Sequence, residues 1–110
     1  MIEKDLISTA FKTFLEKAPK HAQAWMEMVQ KTASSSALDD KTQSLSYLSV
    51  LAAMRLTSGI QFHVSQAKKA GASQEEVISA ILVGLPAAGH VVTQALQVAI
   101  EAYNAGDKVF

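Results

Sequence analysis

Between Lys68 and Glu76 the chain carries a helix stop and a helix start back to back. Lys68 and Lys69 suit the negative end of a helix dipole, and Gly71 suits the left-handed residue that closes a helix. Ser73-Gln74-Glu75-Glu76 then spells a capping box, in which a serine hydroxyl and the glutamate three residues on satisfy each other's free backbone donors. One helix is therefore predicted to end near Ala70 and another to open at Gln74.

The rest of the chain reads in the same period. Ile2, Leu6, Ile7, Ala10, Phe11, Phe14 and Leu15 follow the one-sided spacing of an amphipathic helix, which Ala18-Pro19 interrupts. Pro19 suits the first turn of a second helix carrying Ala22, Trp25, Met26 and Val29, with Thr32 to Ser36 as its exit loop. Asp39 and Asp40 are candidate N-caps. Asp40 with Gln43 matches a capping box, which predicts a third helix from Lys41 to about Leu56. A break is expected near Thr57-Ser58-Gly59, since an interior glycine costs roughly 1 kcal/mol relative to alanine. A fourth helix runs from Ile60 to Ala70. The fifth carries Val77, Ile78, Ile81, Leu82 and Leu85 with little polar surface behind them, the pattern of a helix buried nearly all round. Gly84, Pro86 and Gly89 interrupt it. A last helix from Ala88 is expected to bury Val92, Ala95, Leu96, Ala99 and Tyr103, to place His90, Gln94, Gln97 and Glu101 on another face, and to end at Gly106. Strand alternation, repeats and a membrane-length apolar run are not evident, so the expectation is an all-α domain of about six helices.

Length and composition narrow the function. At 110 residues the chain has room for a single domain with one modest core. Apolar residues make up 49% and charged residues 18%, and that apolar excess predicts subunit contacts. Lys plus Arg equals Asp plus Glu at 10 each, so no net positive field draws a nucleic-acid backbone. The chain has no Cys, which excludes a disulfide, a thiolate metal site and a thiol nucleophile. Its first residues interleave charges where a signal peptide needs an unbroken apolar run, so a cytoplasmic location without membrane attachment is the expectation.

Candidate chemistry concentrates between Asp40 and Glu75, a stretch with no acidic residue, which disfavours a paired-carboxylate mechanism. His63 follows the glycine break. It reads either as a proton-transfer group or as a core histidine whose nitrogens bond to backbone carbonyls. Arg55, the single arginine, reads either as a bidentate receptor for a substrate carboxylate or as a surface residue that pairs with a neighbouring subunit's acid. Ser44 and Tyr47 lie one turn apart on the third helix and read either as cavity lining or as ordinary helix polarity. His90 reads as part of a solvated or interfacial face, or as a second proton-transfer candidate if that face meets an oligomer cavity. The three histidines are scattered over separate helices, no nucleophile elbow accompanies the serines, and no Gly-rich phosphate loop is present, so neither metal nor cofactor is predicted.

From about Leu38 to Tyr103 the chain resembles the carboxymuconolactone decarboxylase family, which includes the alkylhydroperoxidase D-like proteins. The carriers are Asp40-Lys41-Thr42-Gln43-Ser44-Leu45, His63 ahead of Gly71, the Ala70-to-Glu76 turn, and Pro86-Ala87-Ala88-Gly89. The resemblance implies an all-helical subunit in a homo-oligomeric trimer or hexamer, with a small-molecule site near the motif histidine and a subunit boundary. Redox members carry Cys-x-x-Cys-x-x-x-His and a glutamate in the preceding helix. Aligned on His63, those cysteines fall on Leu56 and Gly59 and the glutamate on Ser44, so thiol peroxidase chemistry is excluded. The lactone decarboxylase members carry polar residues at the cysteine positions, and these too are missing. Two functions stay open. One is acid/base catalysis through His63 on a small cyclic or carboxylated molecule, by lactone decarboxylation, isomerisation or hydrolysis, with Arg55, Ser44, Tyr47, Gly59 and His90 as its binding residues. The other is a non-catalytic ligand-binding or scaffold oligomer.

Overall fold

The computed structural model describes residues 9–109, with side chains to Ala105. Its elements are α1 (Thr9–Lys17), α2 (Pro19–Ser34), α3 (Asp40–Ala53), a 3-10 turn (Thr57–Gly59), α4 (Ile60–Lys69), α5 (Gln74–Leu82), the short α6 (Leu85–Ala88), a second 3-10 segment (Gly89–Ala95) and α7 (Leu96–Val109). No strand occurs among the described residues, so the all-α expectation holds. Ile2, Leu6 and Ile7, assigned to the first helix, lie outside the described residues.

Local chemistry sets most of the boundaries. Pro19 opens α2, as expected. That helix continues through Thr32 to Ser34, so the exit loop is shorter and later than predicted. Asp39 caps α3, its carboxylate accepting from the Thr42 backbone N–H at 2.7 Å, and this corrects the predicted Asp40–Gln43 box. Both Ser73–Glu76 hydrogen bonds form, at 2.9 and 3.0 Å, and Gly71 adopts φ +100. At the end of α4 the Ala72 N–H reaches the Ala67 carbonyl and the Gly71 N–H that of Lys68, the paired bonds of a Schellman motif.

The end of α3 departs from expectation. The helix stops at Ala53, short of Leu56. Its closing motif is the same Schellman pair, Leu56 N–H to Leu51 carbonyl and Arg55 N–H to Ala52 carbonyl, with Arg55 in the left-handed position at φ +64. Gly59, which the sequence suggested as the breaker, has φ −91 and ψ −9 and continues the 3-10 turn into α4. The break therefore begins earlier than expected, and Arg55 makes the turn in place of Gly59.

Helices α3, α4, α7 and α5 form a ring, each packed on the next, with the second 3-10 segment laid across α3. Leu48 and Leu51 of α3, Ile60 and Val64 of α4, Val77 and Ile81 of α5, and Val92 fill its centre. Ala52, Ala67, Ala72, Ala95 and Ala99 complete the core, and their small side chains let helix backbones approach closely. Polar braces tie the ring together. Ser49 donates to the Ala80 carbonyl at 2.7 Å, Tyr103 donates to the Ala72 carbonyl at 2.8 Å, and Lys41 pairs with Glu76 at 3.0 Å.

The α5 helix is half-solvated, with Glu75 and Ser79 exposed and Val83 exposed just past its end, which corrects the expectation of a helix buried nearly all round. The residues after Gly89 form a 3-10 segment before α7 begins, and α7 continues through Gly106. The apolar stretch Gln74–Ala105 is long and apolar enough to cross a membrane by length and composition, contrary to the reading that no such run exists. It is not one rod, however, because a turn at Val83–Gly84 and Gly89 at φ +79 divide it into segments. Helices α1 and α2 pair with each other through Phe11, Phe14 and Trp25, ring centroids 5.4 to 6.3 Å apart. Ala22 is the one buried residue of α2, and Met26, Met28 and Val29 are exposed.

Candidate functional site

His63 sits in the first turn of α4, just past the 3-10 turn that follows Arg55. Its ring lies 4.3 Å from that of Tyr47 on α3, tilted by 47°, and 5.1 Å from Phe62 in an edge-to-face contact. Such aromatic arrangements add roughly 0.5–1.5 kcal/mol beyond the area they bury. The ring is half-buried, and that loss of water holds its pKa below the ordinary histidine value, because burial penalises the charged form. The positive end of the α4 dipole acts in the same direction.

The ring nitrogens remain available. Neither makes a hydrogen bond to another described residue, and no side-chain nitrogen or oxygen among the described residues is both buried and unpaired. Both His63 nitrogens therefore reach solvent, unlike those of a core histidine bonded to backbone carbonyls. A neutral imidazole in this setting has one nitrogen free to accept a proton and one to donate.

Gly59 lies beside the ring. A Cβ built on it stands 3.6 and 3.8 Å from the Leu51 methyls and 3.9 Å from His63 Cδ2. The position that the resemblance equates with a cysteine is thus next to the imidazole, without the thiol. Leu56, at the other cysteine position, is exposed.

The other predicted residues are less tightly drawn in. Ser44 is half-buried on α3. Arg55 is exposed, and its side chain makes no hydrogen bond or ion pair among the described residues. His90 is exposed in the second 3-10 segment, its carbonyl accepting from the Thr93 hydroxyl at 2.7 Å. No ring contact or hydrogen bond joins Ser44, Arg55 or His90 to His63. Gln94, Gln97 and Glu101 share the exposure of His90, and Gln97 donates to Glu101 at 3.1 Å, as a solvated face should. No group of three or more His, Asp or Glu among the described residues is placed to hold a metal ion.

Phe62 is the part of this site that sequence reasoning missed. It is an apolar residue on a helix with other apolar positions, so nothing in the pattern separated it from core.

The sequence profile of the carboxymuconolactone decarboxylase family matches residues 19–101, starting one helix earlier than the motifs that carry the resemblance. Neither the curated proteins nor the solved structures give a match. The matched span takes in α2, the helices of the ring as far as Glu101, the Arg55 turn, and His63 with its aromatic neighbours. On that coverage, the chain belongs to the carboxymuconolactone decarboxylase family.

Proposed function

We propose that this protein binds a small cyclic or carboxylated molecule beside His63 and converts it by proton transfer, as in lactone decarboxylation, isomerisation or hydrolysis. The observation that carries this reading is a half-buried imidazole, kept neutral by its surroundings, whose nitrogens still reach solvent. A base of that kind takes a proton from carbon or water near neutral pH and returns it to the product. Tyr47 and Gly59 line the site. Ser44 supplies a hydroxyl from α3, Arg55 anchors a carboxylate, and His90 contributes where a second subunit closes the site.

The protein acts as a homo-oligomer, a trimer or hexamer, in the cytoplasm. Support comes from exposed apolar residues on α3 and α2, and from the apolar Gln74–Ala105 stretch, little of which is fully buried within the subunit. A second reading, a ligand-binding oligomer without catalysis, is favoured by one observation: no acid or hydroxyl among the described residues orients the His63 ring by a hydrogen bond.

The test is a thermal-shift screen with γ-lactones and small carboxylates on wild type, His63→Asn and Arg55→Gln. A ligand at 100 times its Kd adds about 2.7 kcal/mol to the native state. A shift lost in His63→Asn, with turnover of that compound by wild type, supports catalysis. Binding that persists in His63→Asn without turnover supports the second reading.

A further inference from the structure

We propose that the α1–α2 hairpin is an arm that each subunit lays along α3 of the next, covering the exposed Tyr47, Val50 and Met54 and bringing a second chain to the edge of the His63 site. This rests on the homo-oligomer proposed for the protein and assigns which of its surfaces meet.

The hairpin lacks the cover that short helices need. Helix α1 has 9 residues and α2 has 16, and among them only Ala22 is buried. Phe11, Phe14 and Trp25 pack on one another, yet neither helix is packed along a helix of the ring. Helices of this length are marginal in water by themselves and take most of their stability from tertiary packing of an apolar side. That side is present, and Leu15 of α1 with Trp25, Met26 and Val29 of α2 leave it exposed.

Three features of the same chain point to a second copy as the occupant. The α3 helix carries an uncovered apolar stripe of its own, Tyr47, Val50 and Met54, on the side away from Leu48 and Leu51. The charges match as well. On the hairpin Lys12, Lys17, Lys20 and Lys31 outnumber Glu16 and Glu27, whereas α3 begins at Asp39 and Asp40, both exposed, and Lys41 after them is paired with Glu76. A basic arm is thus drawn to the acidic end of the stripe. The third feature is area. Each uncovered surface amounts to on the order of 350 Å² of apolar side chain, so a two-fold contact of either with itself buries less than half the roughly 800 Å² per partner of a standard interface. Arm on stripe, repeated head to tail, uses both surfaces of every chain and approaches that figure. Such a contact closes as a ring.

Tyr47 links this surface to the site. It is exposed as part of the stripe, and its ring lies 4.3 Å from that of His63. An arm docked on α3 therefore borders the imidazole.

The chain has no cysteine, so a single introduced one reports a single contact. Met26→Cys and Val29→Cys mark the arm, and Val50→Cys and Met54→Cys mark the stripe; all four positions are exposed, so none disturbs the core. An arm variant and a stripe variant, each first shown to keep the wild-type mass by light scattering, are mixed in equal amounts, allowed to exchange subunits and treated with a short bis-maleimide. Intact mass then sorts the linked dimers. The dimer holding one chain of each kind is expected to exceed either same-site dimer by at least about fivefold in one or more of the four pairings, as a head-to-tail contact requires. Same-site dimers in the majority would overturn the proposal by showing a two-fold contact. Mixed dimers no more frequent than chance in all four pairings, from a wild type of three or six chains, would overturn it and leave the oligomer with another interface. A wild-type mass of one chain would overturn both.

Discussion

The imidazole of His63 and the phenol ring of Tyr47 lie 4.3 Å apart between centroids, joining the first turn of α4 to α3. The contact takes water from one side of the imidazole. In the folded chain the pKa of His63 is therefore below its unfolded value near 6.5.

The consequence for stability has a definite sign. As pH falls below about 6.5 the unfolded chain takes up a proton at His63 before the folded chain does. The contribution of neutral His63 is thus complete above that pH and is lost as pH falls through its folded pKa, with a slope of at most about 1.4 kcal/mol per pH unit. Asp39 and Glu76, both held below the ordinary carboxylate range by hydrogen bonds from backbone N–H groups, lose their contributions only in a separate window below their own unfolded values. Urea unfolding between pH 7 and 5 should show a steeper loss in wild type than in His63→Gln. Parallel profiles would remove the burial argument.

Arg55 occupies the left-handed position that Gly71 holds in the matching motif after α4. A non-glycine residue pays about 1 kcal/mol or more there, because Cβ crowds the following carbonyl oxygen. Arg55→Gly should raise stability by up to about 1 kcal/mol, and Arg55→Ala should gain nothing, since alanine keeps the Cβ. Chemical denaturation of the three proteins decides this. If Arg55 anchors a carboxylate, the stabilised glycine variant should also lose the thermal shift given by carboxylate ligands and keep that of neutral lactones.

These two residues show what was legible in the sequence. The Gly71 stop and the Ser73–Glu76 start are local signals written in residue types with strong positional preference, and both form as read. Arginine has no such preference for the left-handed region, so the turn at Arg55 was credited to Gly59 a few residues on. Asp39 and Asp40 are chemically equal as caps, and only the backbone geometry chose Asp39. The 3-10 segment from Gly89 to Ala95 was hidden because residues three apart share a face in both helix types. At the site, His63 stood out by its chemistry. The closeness of Gly59 to the ring did not, because it depends on the backbone conformation of one residue and on the packing of Leu51 across from it.

Tyr103 ties α7 back to the turn that starts α5, donating its hydroxyl to the Ala72 carbonyl at 2.8 Å while Lys68 rests 4.5 Å above its ring and donates to its carbonyl. Tyr103→Phe keeps the ring and the cation contact and removes one hydrogen bond. The expected cost is about 1 kcal/mol. Tyr103→Ala removes packing as well and should cost several times more, on the order of 3 kcal/mol. Equal losses in the two variants would show that the ring contributes nothing beyond its hydroxyl.

Tyr47, Val50 and Met54 recur at three and four residues along α3 and stand 44%, 56% and 63% exposed, while Leu48 and Leu51 on the same helix face the core. A helix apolar on both faces is expected between two packed layers, and an isolated subunit covers only one face of α3. Tyrosine and methionine are also favoured at interface centres. Light scattering at micromolar concentration should therefore give three or six times the 11.8 kDa of one chain. Val50→Glu combined with Met54→Glu places two charges on the stripe without touching the core, so it should shift the mass toward a single chain. Dilution should lower the Tm of wild type and leave that of the double variant unchanged, because association stabilises only the folded state. A wild-type mass of one chain would contradict the oligomer outright. An unchanged oligomer in the double variant would move the interface away from α3, leaving the exposed Met26, Met28 and Val29 of α2 as the surface to test next.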